Sequence, residues 1–341
     1  MVLQVRIPAL GLCLFALAGH PEPAAGQAAY EDNLRSAMQD MASAREQSGS
    51  RLDSARGSPR IVGGRVVLPD EFQNLGHVAS LQFDGEHFCG ASFVRPLFGD
   101  DPDGDVVLNG WGAGGGDAPL MAVTAAHCVY EADGRVVSTE FLTVRSESRQ
   151  LSEAAATVQT VTEVVPHWAF DEDLNNDIAV LILDPPDVAP LGAASTLVPP
   201  SLPDADIYQR ANTPMQVAGW GAFAEGGPIS DDLRAVRVPF AVQNDCRTNH
   251  RRIGAEVNDG AFCAGFRTGG FDSCQGDSGG ALTFQHRTPE GDAFGPPVLV
   301  GVVSWGVGCA RYGLQGVYTD VLRHLDWLEA VALEFADQLD P

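Results

Sequence analysis

The densest cluster of chemistry-bearing residues is Asp272-Ser273-Cys274-Gln275-Gly276-Asp277-Ser278-Gly279-Gly280. Glycines around Ser278 let the backbone turn sharply and leave amide N–H groups free to stabilise the oxyanion of a tetrahedral intermediate. A serine hydroxyl is a weak nucleophile and needs a base beside it. Thr124-Ala125-Ala126-His127-Cys128 offers one, an imidazole next to a cysteine that a disulfide would anchor. A carboxylate must then orient the ring. Asp177, at the mouth of the apolar run Ile178-Ala179-Val180-Leu181, suits that role. Singly, each has a plainer reading as a turn, a surface histidine or a strand cap. Together, in the order His, Asp, Ser, they describe nucleophilic acyl transfer.

Such a constellation needs a rigid frame. From Ile61 to Asp320 the chain runs as short apolar stretches separated by Gly, Pro, Asn and Asp, including Val78–Phe83, Phe88–Val94, Phe141–Val144, Ile178–Leu183, Met215–Ala218 and Val298–Val303. These predict the strands of an all-β body. Only the tail predicts a helix, over about 323–339. Leu325, Leu328, Ala332, Phe335 and Leu339 fall on one helical face, which packs on the body. The Pro- and Ala-rich stretch Asp184–Pro203 links two halves. Pro96–Pro119, rich in Gly and Asp, reads as a long, mobile, acidic surface loop. Its acids lack the spacing and closing Glu of an EF-hand calcium loop.

All 21 basic residues are Arg, against 45 Asp+Glu, for a net charge of -24. That surface excludes non-specific nucleic-acid binding and docking on anionic membranes. Residues 1–26 read as a signal peptide: Arg6 precedes an apolar run, Ile7–Ala18, that is too short to span a bilayer, and small residues follow. Residues 27–60 are polar, carry no net charge and read as a propeptide. No later run is long and apolar enough for a membrane anchor. Removing the signal removes Cys13 and leaves Cys89, Cys128, Cys246, Cys263, Cys274 and Cys309, an even set that predicts three disulfides in an exported chain. The expected location is therefore secreted or periplasmic. No C-x-x-C spacing or paired His suggests zinc, and no metal or other cofactor is expected.

The chain resembles the trypsin-like (chymotrypsin-fold) serine endopeptidases from Ile61 to about Leu339. The likeness rests on Ile61-Val62-Gly63-Gly64, Thr124–Cys128, Asp177–Leu183, Gly219-Trp220-Gly221, Gly276–Gly280, Ser304-Trp305-Gly306 and Gly316-Val317-Tyr318. It implies two six-stranded antiparallel β-barrels packed face to face, over about 61–185 and 200–322, with the C-terminal α-helix. It implies that Ser278 is the nucleophile, His127 the general base and then acid, and Asp177 the group that fixes the His tautomer. The N–H groups of Gly276 and Ser278 become the oxyanion hole. The implied disulfides are Cys89–Cys128, Cys246–Cys263 and Cys274–Cys309.

The resemblance also implies specificity and control. Asp272 takes the floor of the primary specificity pocket, where a buried carboxylate favours a cationic side chain, and Ser273 adds a hydroxyl acceptor. Gly306 and Gly316 leave the pocket open, and the backbone of Ser304, Trp305 and Gly306 pairs with an extended substrate. The expected partners are protein or peptide substrates with Arg or Lys at the cleavage point. Cleavage between Arg60 and Ile61, by this enzyme or another protease, frees an amine that pairs with Asp277. Asp171-Glu172-Asp173 reads as a solvated turn, with attraction of basic substrate residues beyond the cleavage point as the alternative. The alternative function is a catalytically silent binding protein on the same scaffold.

Overall fold

Short apolar runs punctuated by glycine and proline become strands, and tertiary pairing closes them into two rings. The computed structural model describes residues 62–100, 106–112, 121–184, 208–285 and 297–336. The signal, the propeptide, Arg60, Ile61, Leu339 and nearly all of the 184–203 link lie outside the described residues.

The first ring uses β2 (Val78–Phe83), β3 (Glu86–Asp100), β5 (Met121–Thr124), β6 (Leu142–Ser146), β7 (Thr157–Pro166) and β8 (Ala179–Leu183). The hydrogen-bonded order β2-β6-β7-β8-β5-β3 returns to β2, so no edge is left in the ring. Side chains along β8 are buried throughout, which is why its sequence is uniformly apolar. The β2–β3 hairpin turns at Asp84-Gly85, both with positive φ (50° and 81°), the backbone that suits a two-residue hairpin loop.

The second ring uses β9 (Pro214–Gly219), β10 (Arg234–Pro239), β11 (Ala261–Ala264), β12 (Ala281–Phe284), β13 (Val298–Trp305) and β14 (Gly316–Asp320), in the order β10-β9-β12-β13-β14-β11. A Phe240–Ala264 bridge closes it, with Ala241 N–H donating to Cys263 O (3.0 Å) and Gly265 N–H to Pro239 O (2.8 Å). The two expected barrels are therefore present, each with one extra strand. β1 (Arg65–Val66) adds to β10 of the second barrel. β4 (Val106–Gly112) adds to β3 of the first.

That last pairing corrects the reading of Pro96–Pro119 as a loop. Residues 96–100 and 106–112 form the two arms of a β-hairpin, from Arg95 opposite Gly112 to Asp100 opposite Val106. Val106-Val107-Leu108 supplies β-prone residues that the surrounding Gly and Asp outweighed in composition. Residues 101–105 and 113–119 lie outside the described residues.

The described fold also contains the α-helices α1 (Pro69–Phe72), α2 (Gln243–Arg251) and α3 (Leu325–Glu334). Leu325, Leu328 and Ala332 are buried, as the stripe predicts, and Val331 joins them. This face packs into the core of the first barrel with Val94, Ile182 and Val321, so the chain's last helix returns to its first domain. Among the described residues no helix is long and apolar enough to cross a membrane.

The barrels meet along a seam of main-chain contacts. Gly90 N–H donates to Ser278 O across it (2.7 Å), and on the first-barrel side the Thr124 hydroxyl donates to Gly90 O (2.8 Å). Gly279, at φ +78°, presses its Cα side against Thr124 Oγ1 and Gly90 O, leaving no room for a Cβ. Gly279→Ala should therefore cost about 2–4 kcal/mol through strain and overpacking at the seam. Urea unfolding measures this, and a loss under about 0.5 kcal/mol would contradict the packing described.

Candidate active site

The site is built from the ends of strands and the turns between them. His127 lies in a 3-10 turn, Ala126–Val129, directly after β5. The Cys89–Cys128 disulfide ties this turn to β3. Asp177 sits just before β8, after a turn in which Asn176 adopts φ +53°, a conformation asparagine tolerates. Asp171 shapes that turn, its carboxylate accepting from the N–H groups of Asp173 and Asn175 (both 3.1 Å). Asp171 thus acts as a turn former.

His127 and Asp177 are joined twice. The ring Nδ1–H donates to Asp177 Oδ2 (2.8 Å) and the His127 backbone N–H to Oδ1 (2.9 Å). Asp177 is fully buried. A third donor comes from the other barrel: Ser304 Oγ reaches Asp177 Oδ2 at 2.5 Å. Thr319 Oγ1 donates to the Asp177 carbonyl (2.7 Å). Burial alone would raise the Asp177 pKa, but the His127 charge and these hydrogen bonds outweigh it and hold the carboxyl below its usual range. The reciprocal holds for His127. Burial would lower its pKa, yet the Asp177 charge and hydrogen bond lift it above the ordinary 6.5. Nδ1 carries the proton, so the neutral ring presents Nε2 as the basic atom.

Ser278 lies in the turn before β12, partly exposed, with its carbonyl held by Gly90. Its backbone therefore lies beside β3, the strand that the Cys89–Cys128 disulfide ties to the His127 turn. Among the described residues no hydrogen bond joins Ser278 Oγ to His127 Nε2. Such contacts are commonly loose without substrate and tighten in the reacting complex. Neither Gly276 N–H nor Ser278 N–H donates to another group among the described residues, so both remain open to an oxyanion.

Three features here had no sequence signal. Ser304, expected to act through its backbone, also contributes its hydroxyl to Asp177. His87 Nε2 donates to Gly276 O (3.1 Å) while Nδ1 accepts from Ser80 Oγ (2.8 Å), fixing the loop of Gly276 and Ser278 to the first barrel. Burial pushes the His87 pKa down to about 4, so the ring is neutral and this tautomer is the one required. Trp305 stands perpendicular to His250, 5.4 Å between ring centroids, and packs against the cluster around the Cys246–Cys263 disulfide.

Asp272 and Asp277 are both buried on the same loop. Asp272 accepts from Ser273 N–H (3.0 Å) and Ala310 N–H (2.9 Å), and burial pushes it up to about 7. Gly316 lies against its Oδ1, with space for no larger residue. Ser273 Oγ lies 3.3 Å from Tyr318 Oη. Gly306 is exposed beside Trp305. The Cys274–Cys309 disulfide braces this region. Asp277 accepts from Gly221 N–H and Cys274 N–H (both 2.9 Å), and burial pushes it up to about 6. The two His/Cys groupings among the described residues, Cys89-His127-Cys128 and Cys246-His250-Cys263, each contain a disulfide, whose sulfurs are not thiolate ligands.

A histidine–carboxylate pair at the seam of two barrels, beside a glycine-flanked serine with free amides, is equipment for acyl transfer. The family model described as Trypsin matches residues 118–328. The chain belongs to the trypsin family. It is similar to trypsin-1 of Astacus astacus, 34% identical over 80% of this chain and 100% of that protein. Trypsin 5G1 of Aedes aegypti is 34% identical, over 82% and 88% of the two chains. Serine protease 56 of Homo sapiens is 35% identical over 83% of this chain, which spans 40% of that longer protein. The trypsin family comprises serine proteases, and all three disulfides expected from the resemblance are formed.

In this trypsin-family chain the Asp177 carboxylate is what keeps the half-buried His127 basic. Asp177→Asn removes the charge and leaves burial to dominate, so His127 should titrate below 6.5. Nitrogen NMR of the labelled imidazole reads this directly. A ring that still titrates above 6.5 in the variant would show that another group sets its basicity.

Proposed function

We propose that this chain is a secreted or periplasmic serine endopeptidase that hydrolyses peptide bonds after Arg or Lys. Ser278 attacks the scissile carbonyl while His127 Nε2 takes its proton, later giving it to the leaving amine. Asp177 holds the ring and stabilises the imidazolium. The N–H groups of Gly276 and Ser278 receive the oxyanion; losing one such donor typically costs about 2.7–4 kcal/mol in the transition state. Ser304, Trp305 and Gly306 pair with the substrate backbone before the cut.

One observation supports the specificity above all. Asp272 is a buried carboxylate met only by backbone N–H groups among the described residues, and its pKa of about 7 reports an uncompensated charge. An entering guanidinium or ammonium supplies the missing cation. The sign follows. The cation needs the ionised carboxylate, so affinity rises as pH climbs from 6 to 8 through the Asp272 pKa. Binding of a small guanidinium inhibitor isolates this pocket from the base. It should strengthen across that range, and Asp272→Ser should weaken it roughly a hundredfold or more while folding is kept. A flat pH profile, or a variant that still binds, would sink the pocket assignment.

Activation follows the same logic. Asp277 is buried with two backbone donors and no cation among the described residues. The amine freed by cleavage between Arg60 and Ile61, by this enzyme or by another protease, pairs with it and orders the oxyanion loop. Labelling of Ser278 by a fluorophosphonate should rise at least tenfold on that cleavage and stay low in Arg60→Gln. An uncut chain that labels fully would remove the zymogen, and a cut chain that never labels would favour a silent binding scaffold.

A further inference from the structure

A cleft of about 370 Å³ opens on the second barrel between the end of β10, the start of α2 and the turn at 265–267. None of the residues lining it belongs to the site described above. Pro239, Phe240, Val242 and Phe266 supply apolar walls, and Val242 is 50% and Phe266 40% exposed. A concave apolar surface left open to water marks a place where something binds. The charged residues lining it are Arg237, Arg267 and Asp245, with Arg267 3.5 Å from Asp245. That is one net positive charge on a chain of net charge -24. α2 begins at the rim with Val242 as its N-cap and no side-chain cap among the described residues, so the helix end adds to the positive field.

The place where the N-terminal segment joins the body says what reaches this cleft. Asp272 N–H donates to Val62 O (3.1 Å), and Gly63, at φ +75°, lies against Gly270 O and the Phe271 ring with no room for a Cβ. Phe271 in turn meets Phe266, 5.4 Å between ring centroids. Residues that precede Val62 therefore join the body one aromatic pair away from the cleft. In that preceding segment Tyr30, Leu34, Met38 and Met41 are spaced 4, 4 and 3 apart, which puts them on one face of a helix. Glu31 and Asp40 flank that face. Residues 27–41 carry Glu31, Asp32 and Asp40 against Arg35, a net charge of -2. The stripe matches the apolar walls, and the acids match the arginines. Residues 42–61, when extended, reach up to about 65 Å, ample for the path past Phe271 and Phe266.

We infer that Tyr30, Leu34, Met38 and Met41 dock as an amphipathic helix in the cleft between β10, α2 and the 265–267 turn, with Glu31 and Asp40 beside Arg237 and Arg267. This rests on the reading of residues 27–60 as a propeptide. Those residues contain no cysteine, so no disulfide ties them to the body once the chain is cut, and this docking does so instead. The 265–267 turn leads into the loop that carries Asp272, so the docked helix also steadies that loop from outside.

The test is amide hydrogen exchange on the exported chain carrying Arg60→Gln, which keeps residues 27–60 attached. Amides of Tyr30–Met41, Val242 and Phe266–Arg267 should be protected. Leu34→Asp combined with Met38→Asp should speed exchange in both regions at least tenfold, and Phe266→Ala should do so in Tyr30–Met41, while amides of β8 stay unchanged as the control for folding. Leu34→Ile with Met38→Leu should keep the protection. Amides of Tyr30–Met41 that exchange freely before any stripe residue is changed, or protection that both the Asp pair and Phe266→Ala leave intact, overturns the docking. Protection that grows with protein concentration means that a second copy fills the cleft, and overturns it too. Exchange needs neither the cut nor catalysis, so its outcome is separate from that of the fluorophosphonate labelling that decides the zymogen reading.

Discussion

A carboxylate with no access to water sets the terms on which the two barrels meet. Asp177 carries charge in the interior, and a buried charge is tolerable only when hydrogen-bonded and paired. Its donors come from both halves: the His127 backbone and ring from the first barrel, Ser304 Oγ from the second. Thr319 of β14 holds the Asp177 carbonyl as well. Docking the barrels and satisfying this acid are thus one event. The His127 ring is oriented by the same contacts that hold the seam together.

Two more buried aspartates show what that solution is worth. Asp272 and Asp277 share Asp177's residue type and burial but are met by backbone N–H groups alone among the described residues. Asp177 is held below its normal range, whereas the others sit near 7 and 6. The difference is the presence of an imidazole partner in one case and of no cation in the others. Under the function proposed above, the two underserved acids are where cations arrive, one from the substrate and one from the cut chain. On that proposal the chain keeps its stable charge beside His127 and its unpaired charges where ligands enter.

Legibility in the sequence followed the range of the interactions involved. The run Ala179–Leu183 read as a strand because burial on all sides selects uninterrupted apolar residues, and it is one. The tail helix showed in a stripe that packs on the first barrel. The hairpin of β3 and β4 was hidden although its pairing is local, because Gly, Asp and Pro between its arms dominate composition there. β1, two residues long, leaves no periodic trace at all. His87 was invisible for the same reason: its partners Ser80 and Gly276 lie on different elements.

The amino-acid sequence by itself determined the candidate residues and their order, the strands and the three disulfides, because glycine-flanked turns, apolar strands and cysteine counts are properties of neighbours along the chain. It also determined, through resemblance, the family. Only the tertiary structure decided that Ser304 shares the carboxylate of Asp177, 127 positions away, and that His87 holds Gly276 across 189. It alone decided that Phe83 of β2, Phe88 of β3 and Phe141 of the 139–141 turn stand together. Such contacts are created when closed sheets bring distant segments within hydrogen-bonding or van der Waals reach, and no local pattern encodes that distance.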